Sequence, residues 1–172
     1  GAADCPLHSV PGTVVITTGV YTDTVAVAVS GNLEAPVTIR GEGDVVVTSD
    51  SGSAFTLSNA HFVRLLELVV TNCPSTGIAL EGSGSAMISN VVSVSNAGNG
   101  LSIQNGGLHE VVDCVFQGNA SHGAYLLAAP DLLFRRCRFL NNAVCGIQNG
   151  ISDAGPCLRV EFRECLIASN AS

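Results

Sequence analysis

Glycine returns every 23 residues at Gly77, Gly100, Gly123 and Gly146, and nothing else in the chain restricts its fold as tightly. The same offset aligns Asn96, Asn119 and Asn142 in one column, Ile78, Leu101, Ala124 and Ile147 in a second, and Leu80, Ile103 and Leu126 in a third. Ala54, Phe55 and Leu57 carry the frame one period back. Ile88, Val111 and Phe134 form a further column, followed by Val91, Cys114 and Cys137. In the last repeat Phe162, Cys165, Ile167 and Asn170 rejoin these columns at a spacing of 28, which places an insertion just before them. Many columns agreeing on one interval mark a stack of repeats.

Within a repeat the apolar residues alternate over three or four positions, as in Ile78 and Leu80 or Cys114 and Phe116, and never recur at helical spacing. Strands this short cannot close a core alone. Stacked in register at about 4.8 Å per layer, they bury one another's inward side chains. The expected fold is all-β: a single parallel β-solenoid of about 23 residues per coil. It forms one domain over 1–172, with less regular coils over 1–53 and regular ones over 54–172.

Composition agrees. The chain of 172 residues is 47% hydrophobic and only 5% aromatic, which makes an aliphatic core. Lysine is absent, and a net charge of −7 argues against nucleic acid or an anionic membrane surface as partner. No apolar run approaches the roughly 18 residues of a membrane span, and no basic, apolar leader precedes Cys5. The last ladder position, Asn170, falls two residues before the end at Ser172. The expectation is therefore a piece of a longer solenoid, or an end that stacks on another subunit.

Gly-x-x-Leu/Ile, a variable turn, an apolar strand and then Cys-x-Phe-x-x-Asn, as in Cys114 to Asn119, resemble the right-handed parallel β-helix repeat of the pectate-lyase-like superfamily. Pro11 to Ile16, Gly19 to Tyr21 and Pro36 to Gly41 resemble the first coils of such proteins. The resemblance implies a right-handed helix and an asparagine ladder at Asn96, Asn119, Asn142 and Asn170. Asn119 and Asn170 also match the glycosylation sequon, but an amide held in a ladder is not expected to accept a glycan. The superfamily spans lyases, hydrolases, epimerases, tailspikes, adhesins and inert modules, so fold alone does not choose among them.

Cys114, Cys137 and Cys165 share an inward slot with Val91 and read as buried small hydrophobes. Among the remaining cysteines Cys145 with Cys157, or Cys5 with Cys73, are the candidate disulfides. His109 and His122 read as solvated turn residues. Asp113, Arg136 and Glu164 share a column of alternating charge and read as a salt-bridge ladder. Arg135 and Arg163 share the adjacent column. Like charges one layer apart need neighbouring carboxylates, for which Glu110, Asp131 and Glu161 are the candidates, or a bound anion.

In pectate lyases and their relatives this strand lines the substrate cleft, and arginine there holds uronate carboxylates or takes the proton α to them. That resemblance makes Arg135 and Arg163 the candidate catalytic residues, with Glu110, Asp113, Asp131, Arg136, Glu161 and Glu164 as candidate substrate-binding neighbours. It also implies calcium if the chain is a lyase, for which Glu110, Asp113 and Glu161 would have to converge. No two carboxylates are adjacent, which argues against glycoside hydrolysis. Two functions remain. The first is a non-catalytic, cofactor-free module presenting a rigid face to a polysaccharide or protein outside the cell or at its surface. The second is a uronate lyase or epimerase with an arginine base.

Overall fold

The computed structural model describes residues 12–152, 155–156 and 159–171. Its strands in chain order are β1 (Thr13–Thr22), β2 (Val25–Val27), β3 (Val37–Thr48), β4 (Phe55–Ser58), β5 (Val63–Thr71), β6 (Ile78–Glu81), β7 (Met87–Val94) and β8 (Leu101–Gln104). They continue as β9 (His109–Val112), β10 (Val115–Gln117), β11 (Ala124–Leu127), β12 (Leu132–Arg135), β13 (Arg138–Leu140), β14 (Ile147–Ser152), β15 (Gly155–Pro156), β16 (Val160–Arg163) and β17 (Leu166–Ala168).

These strands wind into a right-handed parallel β-solenoid of about six turns. One sheet stacks β2, β4, β6, β8, β11 and β14 in parallel, with β15 folded antiparallel onto β14. The other sheet begins as long strands β1, β3, β5 and β7, then divides into β9, β12 and β16 on one side and β10, β13 and β17 on the other. The division falls at a bend occupied by Glu67, Asn90, Asp113, Arg136 and Glu164, all at positive φ between 52° and 59°. Left-handed backbone costs a non-glycine residue about 1–2 kcal/mol. The stack overrides that penalty where the bend hands its amide to the next coil: Asp113 N donates to Arg135 O at 3.0 Å and Arg136 N to Arg163 O at 2.9 Å.

The repeating columns are physical stacks. Phe55, Ile78, Leu101 and Ala124 are fully buried one above another, as are Leu65, Ile88, Val111 and Phe134. Phe116 lies on Phe139 at 5.2 Å between ring centroids, and Phe134 on Phe162 at the same distance. Cys114 and Cys137 are buried in the slot continuing from Val91, and Cys165 is half-buried against the same core. Burial pushes the Cys165 thiol up, and the hydrogen bond with Cys137 together with burial pushes Cys114 up further.

The asparagine ladder forms in full. Asn96 Nδ2 donates to Asn119 Oδ1 at 3.0 Å, Asn119 Nδ2 to Asn142 Oδ1 at 3.0 Å and Asn142 Nδ2 to Asn170 Oδ1 at 2.9 Å. Each Oδ1 also accepts the backbone N–H of the asparagine before it. The ladder explains the glycine interval. A Cβ on Gly100 would stand 2.8 Å from Asn119 Nδ2, and one on Gly123 would stand 2.9 Å from Asn142 Nδ2.

His109 differs from its sequence reading. It opens β9, is 2% exposed, and fills the inward column of Val63, Ala86 and Leu132. Ala86, one coil back, is small enough to leave it room, and the Ala86 amide donates to His109 Nδ1 at 3.2 Å. His122 is half-buried beside Tyr125. The disulfides Cys145–Cys157 and Cys5–Cys73 each have one member outside the described residues.

Candidate functional site

The face made by β9, β12 and β16 carries the candidate residues, because outward positions on a strand alternate and register is kept from coil to coil. One outward column runs Met87, Glu110, Leu133, Glu161, and the other runs Leu66, Ser89, Val112, Arg135, Arg163. Arg135 and Arg163 are therefore direct neighbours on adjoining rungs. Arg40 stands at the far end of the same column and Arg64 at the far end of its partner column. Neither arginine was singled out from the sequence. The interval from Arg40 to Leu66 departs from 23, so the column is visible only once strands are paired.

Arg135, Arg136, Arg159 and Arg163 are each met by a carboxylate. Arg163 Nε donates to Glu161 Oε1 at 2.6 Å along its own strand. Arg136 grips Asp113 with two bonds, Nε to Oδ1 at 2.6 Å and Nη2 to Oδ2 at 2.7 Å. Arg159 pairs with Asp131 on the turn leading into this face, beside a shallow hollow of about 420 Å³ bounded by Leu133 and Glu161. Glu164 follows Arg136 on the bend and adds to its field. Arg135 is held most loosely: its Nη2 reaches Glu110 Oε1 at 3.4 Å, and its Nε is covered without a hydrogen-bond partner.

These pairings set the protonation states. The hydrogen bond from Arg136 holds the Asp113 carboxyl below its usual range, and that from Arg163 does the same for Glu161. Reciprocally, Arg136 and Arg163 are held above the ordinary arginine value by those carboxylates. A base must give up its proton readily. Arg163 is moved in the opposite direction.

The carboxylates expected to converge on calcium stand apart. Glu110 and Glu161 occupy one column with Leu133 between them, roughly 9.5 Å apart at two layers. Asp113 lies on the bend, both oxygens engaged by Arg136. Among the described residues no three His, Cys, Asp or Glu side chains gather as a metal site. This donor set does not fit calcium, which takes six to eight oxygens at one point.

Parallel sheets wound coil upon coil, with no helix among the described residues, define a β-helix protein. The family described as "Right handed beta helix region" matches residues 45–172, and the chain belongs to it. No curated protein matches the sequence. Among solved structures, pectate lyase Pel9A is 18% identical with a TM-score of 0.77, the match covering 94% of this chain and 44% of that one. The periplasmic alginate epimerase AlgG is 11% identical, TM-score 0.64, over 89% of this chain and 44% of its own. An alginate lyase from Paenibacillus sp. is 12% identical, TM-score 0.67, over 81% and 67% respectively. The chain thus spans less than half of the first two, and the likeness at these identities is one of fold.

Proposed function

We propose that this chain is a non-catalytic β-helix module that binds an acidic polysaccharide along the face of β9, β12 and β16, outside the cell or at its surface. The observation carrying the reading is Arg135. Its side chain is 41% exposed and its guanidinium keeps one long bond to Glu110, next to a second arginine one rung away. A uronate carboxylate offers two coplanar oxygens to the exposed nitrogens of such a guanidinium. Arg163 gives the adjoining rung the same sign. The pectate and alginate chemistry named for the structural neighbours belongs to those proteins, and it supports choosing uronates as the ligand to test.

The absence of catalysis in this reading follows from the pairings. The Asp113 and Glu161 carboxyls are held below their usual range and Arg136 and Arg163 above theirs, each in the direction that opposes proton exchange. The second reading, a uronate lyase or epimerase, rests on Arg135 as base.

The test is retardation of the full chain in gels containing polygalacturonate or alginate, together with ultraviolet detection of unsaturated uronide. Binding without product is expected, and it should survive a chelator and weaken with salt. Arg135→Ala should lower it, and Arg135→Lys should restore little, since ammonium cannot reproduce the fork. Unsaturated product that disappears in Arg135→Ala would replace this reading with the second one. Equal retardation of Arg135→Ala and the unaltered chain would remove the site.

A further inference from the structure

The sheet of β4, β6, β8, β11 and β14 presents a second, chemically different face. Its outward columns run Thr56, Ala79, Ser102, Tyr125, Gln148 and Ser58, Glu81, Gln104, Leu127, Gly150. Glu81 is the one formal charge among these, in a chain whose net charge is −7. Tyr125 is the single aromatic residue. Its phenol reaches diagonally over the next strand, where a Cβ on Gly150 would stand 3.6 Å from Tyr125 Oη. Because Gly150 carries no side chain, the ring is not propped upright there.

His122 extends this surface. Its ring lies 5.9 Å from that of Tyr125 with only 26° between their planes. Burial lowers the His122 pKa, so the ring is neutral at ordinary pH. A primary amide flanks Tyr125 on each adjoining rung. Gln104 Nε2 donates to Ser102 Oγ at 3.1 Å on one side, and Gln148 lies beside Tyr125 in register on the other.

We propose that this face is a binding site for a neutral, hydroxyl-rich polysaccharide, centred on Tyr125 with His122 and bounded by Gln104 and Gln148. A pyranose ring presents an apolar C–H face that lies flat on an aromatic ring, and its equatorial hydroxyls match amides, which both donate and accept. The rung spacing of about 4.8 Å is close to the length of one sugar in an extended chain, so Tyr125 and the two glutamines meet successive sugars. The backbone is held by a sheet on both sides, so binding orders little. This site shares no residue with the arginine face, and its ligand differs from that site's in charge.

The experiment is affinity electrophoresis of the full chain in gels containing soluble xylan, galactomannan or hydroxyethylcellulose, with polygalacturonate in parallel. Retardation by at least one neutral polymer is expected, insensitive to added salt and unchanged in Arg135→Ala. Tyr125→Ala should weaken it by about tenfold or more, one aromatic contact's worth, while Tyr125→Phe keeps it. Gln104→Ala with Gln148→Ala leaves the ring in place and should also weaken binding. Lack of retardation by all three neutral polymers would overturn the proposal. So would equal retardation of Tyr125→Ala and the unaltered chain. Either result leaves the polygalacturonate arm, and with it the arginine face, to be judged separately.

Discussion

His109 puts a titratable ring where the neighbouring coils put Val63, Ala86 and Leu132. It is tolerated because it is neutral. Nδ1 accepts the Ala86 amide, and burial, with a smaller contribution from His61, pushes its pKa down from 6.5 to about 4. Between those values the unfolded chain binds a proton that the folded chain refuses, so stability is fully present above about pH 6.5 and is lost as pH falls towards 4. The loss amounts to about 3 kcal/mol at most. Urea midpoints across pH 7.5 to 4.5 should fall for the unaltered protein and fall less for His109→Leu. At neutral pH the same substitution should cost about 1–3 kcal/mol, because it strands the Ala86 amide. An unchanged pH slope in His109→Leu would exclude this account. The sequence does not disclose this residue's burial, since Gly106-Gly107-Leu108 before it reads as a turn and histidine has no preference strong enough to say where the turn stops. Tyr125 was passed over for a related reason: its value lies in the missing side chain at Gly150, which only strand register brings beside it.

The asparagine ladder is the element where sequence and structure agree most fully, because a period in the letters becomes a column in space. Interior and terminal rungs differ in energy. Asn119 receives two bonds at Oδ1 and gives Nδ2 to both Asn142 Oδ1 and Ser93 O, all buried. Asn119→Ala should therefore cost more than 3 kcal/mol, at about 1–3 kcal/mol for each buried group left unpaired. Asn170→Ala, at a half-buried rung, should cost less. Gly100→Ala should also destabilise, by about 1–3 kcal/mol, because its methyl meets Asn119 Nδ2 and the Gly123 carbonyl. Thermal unfolding of the three variants checks the order, and equal losses for Asn119→Ala and Asn170→Ala would contradict it. The bend between the two long-strand faces was not legible in the same way. Glu67, Asn90, Asp113, Arg136 and Glu164 comprise four residue types, and glutamate and arginine have no taste for left-handed backbone. Their column shows that the position is imposed by the coils above and below. For Arg135 and Arg163 the sequence offers Glu110, Asp131 and Glu161 as neighbouring carboxylates, and the rotamers give Glu110 to Arg135 and Glu161 to Arg163.

At the scale of the whole molecule, a stack is held by its layer interfaces, and a layer with one neighbour has half the support. The columns register this directly. Phe139 is fully buried while Ile167 below it is 53% exposed, and Phe134 is fully buried while Phe162 is 41% exposed. Leu166 adds 48% exposure on the outward side of the same coil. Removing a side chain that already touches water forfeits less transfer energy and leaves no closed cavity. Phe139→Ala should therefore cost about 3–5 kcal/mol, against well under 2 for Ile167→Ala. A second copy stacking on this coil would meet β16, β17 and the exposed side chains of Phe162 and Ile167. The urea midpoint of Ile167→Ala measured over a range of protein concentrations separates the alternatives. If the end stays open, the small cost is independent of concentration. If it is covered by a second copy, the cost approaches that of Phe139→Ala at high concentration and shrinks on dilution, since association stabilises by mass action.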